Sequence, residues 1–383
     1  MSVTWPRGFR AAGVACGIKT SGARDLAVVV NDGPGDAAAA VLTSNRFQAA
    51  PVQWTQQVIR DGRLRAVVIN SGGANACTGP PGFQDAHATA EHAAARLGTS
   101  ALDIAVCSTG LIGTRLPMSR LLDGVTTAVT ALRTDGGALA AEAIMTTDSR
   151  PKSVAVEGNG YRVGGMAKGA GMLAPGLATM IVVLTTDADL AQVDAAAALR
   201  YATSLSFDRI DSDGCMSTND TVILMASGAS SVTASQADFQ EVLRQACADL
   251  ARQLIGDAEG SSKDIAVTVQ SANSDDDALE VARAVARSNL LKCAIGGEDP
   301  NWGRVLAAAG TADAVFEPNA VDVAINGVWV CRQGGIGDDR DLVDLTGRQV
   351  EIVIDLHAGS AEATILTNDL TAAYVHENSA YAT

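Results

Sequence analysis

The sequence predicts a mixed α/β fold. Strand-like apolar runs alternate with amphipathic helical stretches, no tandem repeat interrupts them, and no low-complexity linker separates the parts. The 383 residues allow one large or two ordinary domains. With 47% hydrophobic against 19% charged residues, the composition suits a packed core and excludes a disordered or fibrous chain.

Runs at 26–30, 66–69 and 104–107 are rich in Val and Ile and bounded by Asn, Gly and Ser, which predicts buried strands. Helical periodicity follows the later two. Residues 84–96 are Ala-rich with His and Glu on the wet side, and 119–132 repeat apolar residues at three- and four-residue intervals after Pro117, which suits a first turn. Segments 152–156 and 161–165 alternate around Glu157-Gly158-Asn159-Gly160, a hairpin whose turn residues tolerate positive φ. The glycine-rich stretch 169–176 then feeds 180–184, an apolar run expected to be a strand buried on both faces. Ser235 with Asp238 caps a long helix reaching about Ile255. Runs 265–269, 321–325, 328–331 and 350–356 are strands, with Asn326-Gly327 as a second hairpin turn. The stretch DPNWGR, 299–304, reads as a structural turn with a buried Trp302.

Forty-three acidic against 28 basic residues give a net charge of −15, and no basic patch offsets it, so nucleic acid is not an expected partner. Seven scattered cysteines without a C-x-x-C spacing suit neither a disulfide framework nor a zinc site. The first thirty residues lack the apolar core of a signal peptide, and no stretch approaches the ~18 apolar residues of a membrane span. A reducing cytoplasm is the expected address, with no membrane partner. His87 and His92 miss the same-face spacing of a metal pair, and His357 and His376 are isolated. Serine-hydrolase elbows, zincin motifs and P-loops are absent. Asp208, Asp211, Asp213 and Asp220 crowd one loop but lack calcium-loop spacing, so no metal is expected.

Lys168-Gly169-Ala170-Gly171-Met172-Leu173-Ala174 contains G-x-G-x-x-A after a strand, the pattern of a dinucleotide turn. Pro175 and the β-like run beyond it deny that turn its helix. Read onward, the same segment brings Ala178-Thr179 to the mouth of a buried strand. A hydroxyl there can attack the carbonyl preceding it and turn the peptide into an ester. Hydrolysis frees an amino-terminal threonine whose α-amine, of pKa about 7.7 to 8.0, is poised to take the hydroxyl proton. On local chemistry alone this is one possibility among many Ala-Thr pairs.

Several blocks in order carry a resemblance over almost the whole chain: NSGGANACTG (70–79), STGLIG (108–113), IMTTDSRPK (144–152), KGAGMLAPGLATM (168–180), DSDGCMSTNDT (211–221), GDAEGSSK (256–263), DPNWGR and the terminal ENSAYAT. The sequence resembles the ornithine acetyltransferase (glutamate N-acetyltransferase) family. The resemblance implies stacked β-sheets flanked by helices, an αββα sandwich like that of self-cleaving amino-terminal nucleophile enzymes, with a smaller carboxy-terminal α/β region. It implies cleavage between Ala178 and Thr179 into chains 1–178 and 179–383, assembled as α2β2. Thr179 would take acetyl from N-acetylornithine and pass it to glutamate, with Thr109 and Gly110 as oxyanion donors. Thr147, Lys168, Thr179, Glu259, Asn378 and Thr383 match substrate-binding positions. Gly73, in the first block, stands where a larger polar residue is expected.

An acetylated amino acid carries a carboxylate, an amide and, for ornithine, a distal ammonium. Lys168 answers the first and Glu259 the last. Lys168 would also favour the neutral, basic form of a nearby α-amine by like-charge repulsion. No cofactor or metal is implied, and acetyl-CoA enters as a further donor in bifunctional members, for which the motifs supply no rule. The competing readings are an amide hydrolase or aminopeptidase with the same nucleophile, a dinucleotide-dependent oxidoreductase, and a non-catalytic binding protein that stays uncut.

Overall fold

The structure is a computed structural model that describes residues 2–174 and 180–380. It divides into two units, one of Met1–Asp208 and Cys215–Asp257 and one of Arg209–Gly214 and Ala258–Ala382.

The first unit runs β1 (Phe9–Val14), β2 (Leu26–Asn31), β3 (Ala38–Leu42), α1 (Ala50–Val58), β4 (Ala66–Ser71), α2 (Gly79–Leu97), β5 (Ile104–Thr109), α3 (Met118–Thr130), α4 (Gly137–Ala143), β6 (Lys152–Glu157), β7 (Arg162–Lys168), β8 (Ile181–Thr186), α5 (Ala195–Ser204), β9 (Thr221–Ala226) and α6 (Gln236–Ile255). These strands form two sheets, ordered β1-β2-β4-β5 and β3-β9-β8-β7-β6. Strands β2, β4, β5, β8 and β9 are buried at every position. Near-continuous apolar runs of this kind need cover on both faces. One cover is the other sheet: Val28, Val68 and Val106 share an apolar cluster with Met166, Val183 and Ile223. The other cover is helical, with α2 and α3 on the first sheet and α5 and α6 on the second. The unit is therefore an αββα sandwich. Parallel pairing sets Ser71 beside Thr109 and Ile181 beside Thr221, and antiparallel pairing sets Lys168 beside Ile181.

The second unit runs β10 (Asp264–Ala272), α7 (Asp275–Ala286), α8 (Asn289–Gly296), α9 (Trp302–Ala309), β11 (Asp322–Ile325), β12 (Val328–Arg332), β13 (Gly335–Ile336), β14 (Gln349–Asp355), β15 (Ala361–Asn368) and α10 (Ala372–Ala380). Its sheet order is β13-β12-β11-β14-β10-β15. Along β10, Ile265, Val267 and Val269 point into a cluster with Val281 and Val285 of α7 and Val305 of α9, as the two-residue period of a strand requires. This is the smaller α/β region.

Local boundaries follow local chemistry. Helix α2 begins at Gly79, ahead of the expected 84, because Pro80 and Pro81 fit its first turn. Pro117 serves as the N-cap of α3. Ser235 caps α6 by accepting from Asp238 N at 3.4 Å. Trp302 corrects the sequence reading: it opens a helix and is only half-buried, because Asn301 Oδ1 accepts from Arg304 N (3.3 Å) and turns the segment into an N-cap. Among the described residues no helix is long and apolar enough to cross a membrane.

Candidate active site

Two strand ends in the first unit bring expected residues together. Thr109 closes β5 and Lys168 closes β7, and Lys168 Nζ donates to Thr109 Oγ1 at 3.3 Å. Both side chains are buried. A hydroxyl that accepts from a lysine keeps its own proton to donate, so Thr109 still has a hydrogen bond to offer. Gly110 follows at φ +128°, and a Cβ there would stand 2.5 Å from Gly73 N and 2.6 Å from Gly72 C. Only glycine fits so close to that backbone. Gly72 N and Gly73 N both donate to Thr109 O, at 2.8 and 3.0 Å, which fixes the turn. The small residue at Gly73 suits this site, since a Cβ would meet Leu116 Cδ2 at 2.7 Å.

A buried charge cluster, not anticipated from the sequence, supports Lys168. Asp148 Oδ1 accepts from Lys152 Nζ (2.6 Å) and from Gly169 N (2.7 Å), and its Oδ2 accepts from Thr146 N (2.9 Å). Lys152 also pairs with Asp257 at 2.6 Å. Burial disfavours the Asp148 carboxylate, but the charges of Lys168 and Lys152 outweigh it and hold the group at about 2. Lys19, whose Nζ donates to Met145 O at 2.7 Å, is depressed chiefly by burial, with Asp25 and Asp148 opposing and Lys168 adding to the effect. Thr147 sits exposed in the turn beside Asp148.

In the second unit Asn378 on α10 donates to Glu259 Oε2 at 3.1 Å. The loop bearing Glu259 is held from β15 and beyond: Asp369 accepts from Ser262 N (2.9 Å) and Lys263 N (3.0 Å), and Thr371 Oγ1 donates to Gly260 O (2.6 Å). Thr179, Ala178 and Thr383 lie outside the described residues.

The discarded motifs have other occupations. Residues 169–174 contain no helix, so the glycine-rich stretch is not a dinucleotide turn. The acidic loop disperses: Asp211 pairs with Arg287 at 2.5 Å in the second unit, whereas Asp220 belongs to the first. His87 stacks against Trp54 with centroids 4.8 Å apart, His92 meets Thr126 Oγ1 at 2.8 Å, and His357 pairs with Asp322 at 3.1 Å.

Comparison with known proteins adds the class. The arginine biosynthesis bifunctional proteins ArgJ of Thermobifida fusca (strain YX) and Streptomyces coelicolor are each 64% identical to this chain, over 383 and 381 residues, with 100% of both chains covered. A solved ornithine acetyltransferase from Mycobacterium tuberculosis, complexed with ornithine, is 60% identical over 47% of this chain and 96% of that one, with a TM-score of 0.45. The protein is an α/β acyltransferase. The ArgJ family model matches residues 10–383, and the chain belongs to that family.

Proposed function

We propose that this acyltransferase moves acetyl from N2-acetyl-L-ornithine to L-glutamate, a step of arginine biosynthesis, through an acetyl ester on Thr179. The reading rests above all on the Lys168–Thr109 hydrogen bond beside Gly110, at 3.3 Å.

Cleavage of the 178–179 bond frees the Thr179 amine, which removes the hydroxyl proton as Oγ attacks the acetyl carbon of the donor. The oxyanion is met by the Thr109 hydroxyl and the Gly110 N–H. Its collapse breaks the C–N bond, and ornithine leaves with the proton. Glutamate then attacks the ester through its amine, the same donors stabilise the second oxyanion, and Thr179 Oγ is released. Removing one such donor costs on the order of 10² to 10³ in rate. Lys168 supplies a cation for substrate carboxylate, Glu259 a carboxylate for the ornithine ammonium, and Thr147, Asn378 and Thr383 neutral contacts. The chemistry needs no metal or bound cofactor. Acetyl-CoA as an alternative donor, an α2β2 assembly of chains 1–178 and 179–383, and a cytoplasmic address belong to the same proposal.

Denaturing electrophoresis with amino-terminal sequencing tests the processing step. Two fragments are expected, the second beginning at Thr179, and Thr179→Ala should leave one inactive chain. An uncut, fully active wild-type protein overturns the proposal. Incubation with N-acetylornithine should release ornithine in catalytic amounts only when glutamate is present; equal release without glutamate indicates a hydrolase instead.

A further inference from the structure

Between the two sheets of the first unit, the dipeptide Asn219-Asp220 holds two peptide groups at once. Asp220 is fully buried just before β9, and its Oδ1 accepts from Met180 N at 2.9 Å. Thr221 N in turn donates to Met180 O at 3.1 Å, so both polar backbone groups of Met180 are engaged from this segment. Met180 N belongs to the peptide that joins it to Thr179. Met180 is the first described residue after the Ala178-Thr179 pair, so this contact lies one residue along the chain from the proposed nucleophile.

Asn219 grips the other side. Its Nδ2 donates to Ser108 O at 2.8 Å and to Ala74 O at 2.6 Å. Two carbonyl acceptors identify this end of the amide as the NH2 group, and Oδ1 accepts from Thr218 Oγ1 at 2.6 Å. Ser108 O lies in the peptide plane that contains the Thr109 Cα. Ala74 closes the turn whose Gly72 and Gly73 pack on Gly110. The segment is itself anchored, since Thr43 N donates to Asp220 O at 2.9 Å.

We propose that Asn219 and Asp220 are positioning residues that hold the Thr179 nucleophile in register with the Thr109 and Gly110 oxyanion donors. The inference rests on the acetyl-threonine reading above. Burial pushes the Asp220 carboxyl well above the usual range, and the Met180 N–H, the Lys168 charge and nearby Ser217 offset only part of that. Its Oδ2 is buried without a hydrogen-bond partner among the described residues, a costly arrangement for a charged oxygen.

The test compares Asp220→Ala, Asp220→Asn and Asn219→Ala with the wild type in the full chain. Readouts are the rate of self-cleavage, kcat and KM for N-acetylornithine, and acetylation of Thr179 by mass spectrometry. Misplacing a nucleophile by about 1 Å costs on the order of 10²-fold. Losses of that order in self-cleavage and kcat are expected for both alanine variants, with KM little changed. Asp220→Asn retains an acceptor oxygen for Met180 N and should recover most of the rate. If Asp220→Ala does not fold, Asp220→Ser carries the same expectation, because its hydroxyl is too short to reach Met180 N. Wild-type rates in folded Asp220→Ala or Asp220→Ser overturn the proposal, as does an Asp220→Asn as impaired as the alanine variant. Absence of a Thr179 acetyl adduct in the wild type would instead sink the underlying reading, so the two failures are distinguishable.

Discussion

Replacing Asp148 by Asn should destabilise the first unit in a manner that depends on pH. The Asp148 side chain is fully buried, and its charge faces Lys152 at 2.6 Å as well as Lys168. Its carboxyl falls from the ordinary 3.8 to about 2 in the folded protein. At about 1.4 kcal/mol per pH unit, that difference contributes about 2–3 kcal/mol of stability at neutral pH. The folded-state value is depressed, so the contribution is present in full above about 4 and is lost as pH falls towards about 2. Lys152 keeps Asp257 as a partner at 2.6 Å, so it is not left uncompensated. The cost should therefore stay below the upper end of the ~3–5 kcal/mol seen when a buried pair is broken. Urea unfolding followed by far-UV circular dichroism, on wild type and Asp148→Asn in parallel, measures the gap. We expect about 2–3 kcal/mol at pH 7, shrinking to about half by pH 3. No gap at pH 7, or a gap of equal size at both pH values, would refute the assignment of a charged, lysine-stabilised carboxylate.

Two further substitutions bear on the chemistry. Gly110→Ala places a Cβ 2.5 Å from Gly73 N at a positive φ, which must displace the N–H donor. Steady-state kinetics should show kcat lower by about 10²- to 10³-fold with KM little changed; a rate near wild type would remove Gly110 from the oxyanion site. Glu259→Gln keeps a partner for Asn378 but removes the charge that the proposal assigns to the ornithine ammonium. A charge-assisted hydrogen bond of about 1.5–3 kcal/mol corresponds to a KM for N-acetylornithine raised roughly ten- to hundredfold. An unchanged KM for that donor would assign the ammonium contact elsewhere.

The parts of this fold that were legible in the sequence are those whose signals are local. Strands β2, β4 and β5 announce themselves by short apolar runs rich in Val and Ile, the β6–β7 hairpin by its Gly-Asn-Gly turn, and α6 by Ser235 at its cap. Strand β3, AAAVL, was not legible because its three alanines lean towards helix, and only tertiary pairing with β9 overrides that preference. Helix α7 has a readable start in Ser274, whose side chain accepts from Asp277 N, followed by three aspartates. Thr109, Gly110 and Lys168, which the structure brings to neighbouring strand ends, are singled out in the sequence only by the ordered motif blocks, since nothing in their immediate neighbours marks them. Asp257 escapes because its pair with Lys152 spans 105 residues and has no sequence period, and Asp148 and Lys152, four apart, lie outside any helix that would make such spacing a signal. In the sequence, Asp220 is visible only as one of four clustered carboxylates. Its partner, the backbone of Met180, is supplied by the parallel register of β8 and β9, which only the folded sheet displays.

A covalent acetyl group on Thr179 is what the proposed transfer between donor and glutamate requires. The purified, processed protein should be mixed with N-acetylornithine in the absence of glutamate, quenched in acid, digested and analysed by mass spectrometry. The account predicts one acetyl group on the peptide that begins with Thr179, formed together with stoichiometric ornithine and discharged when glutamate is added. Ornithine release with that peptide unmodified throughout, or acetyl found on another residue that glutamate discharges, would contradict it.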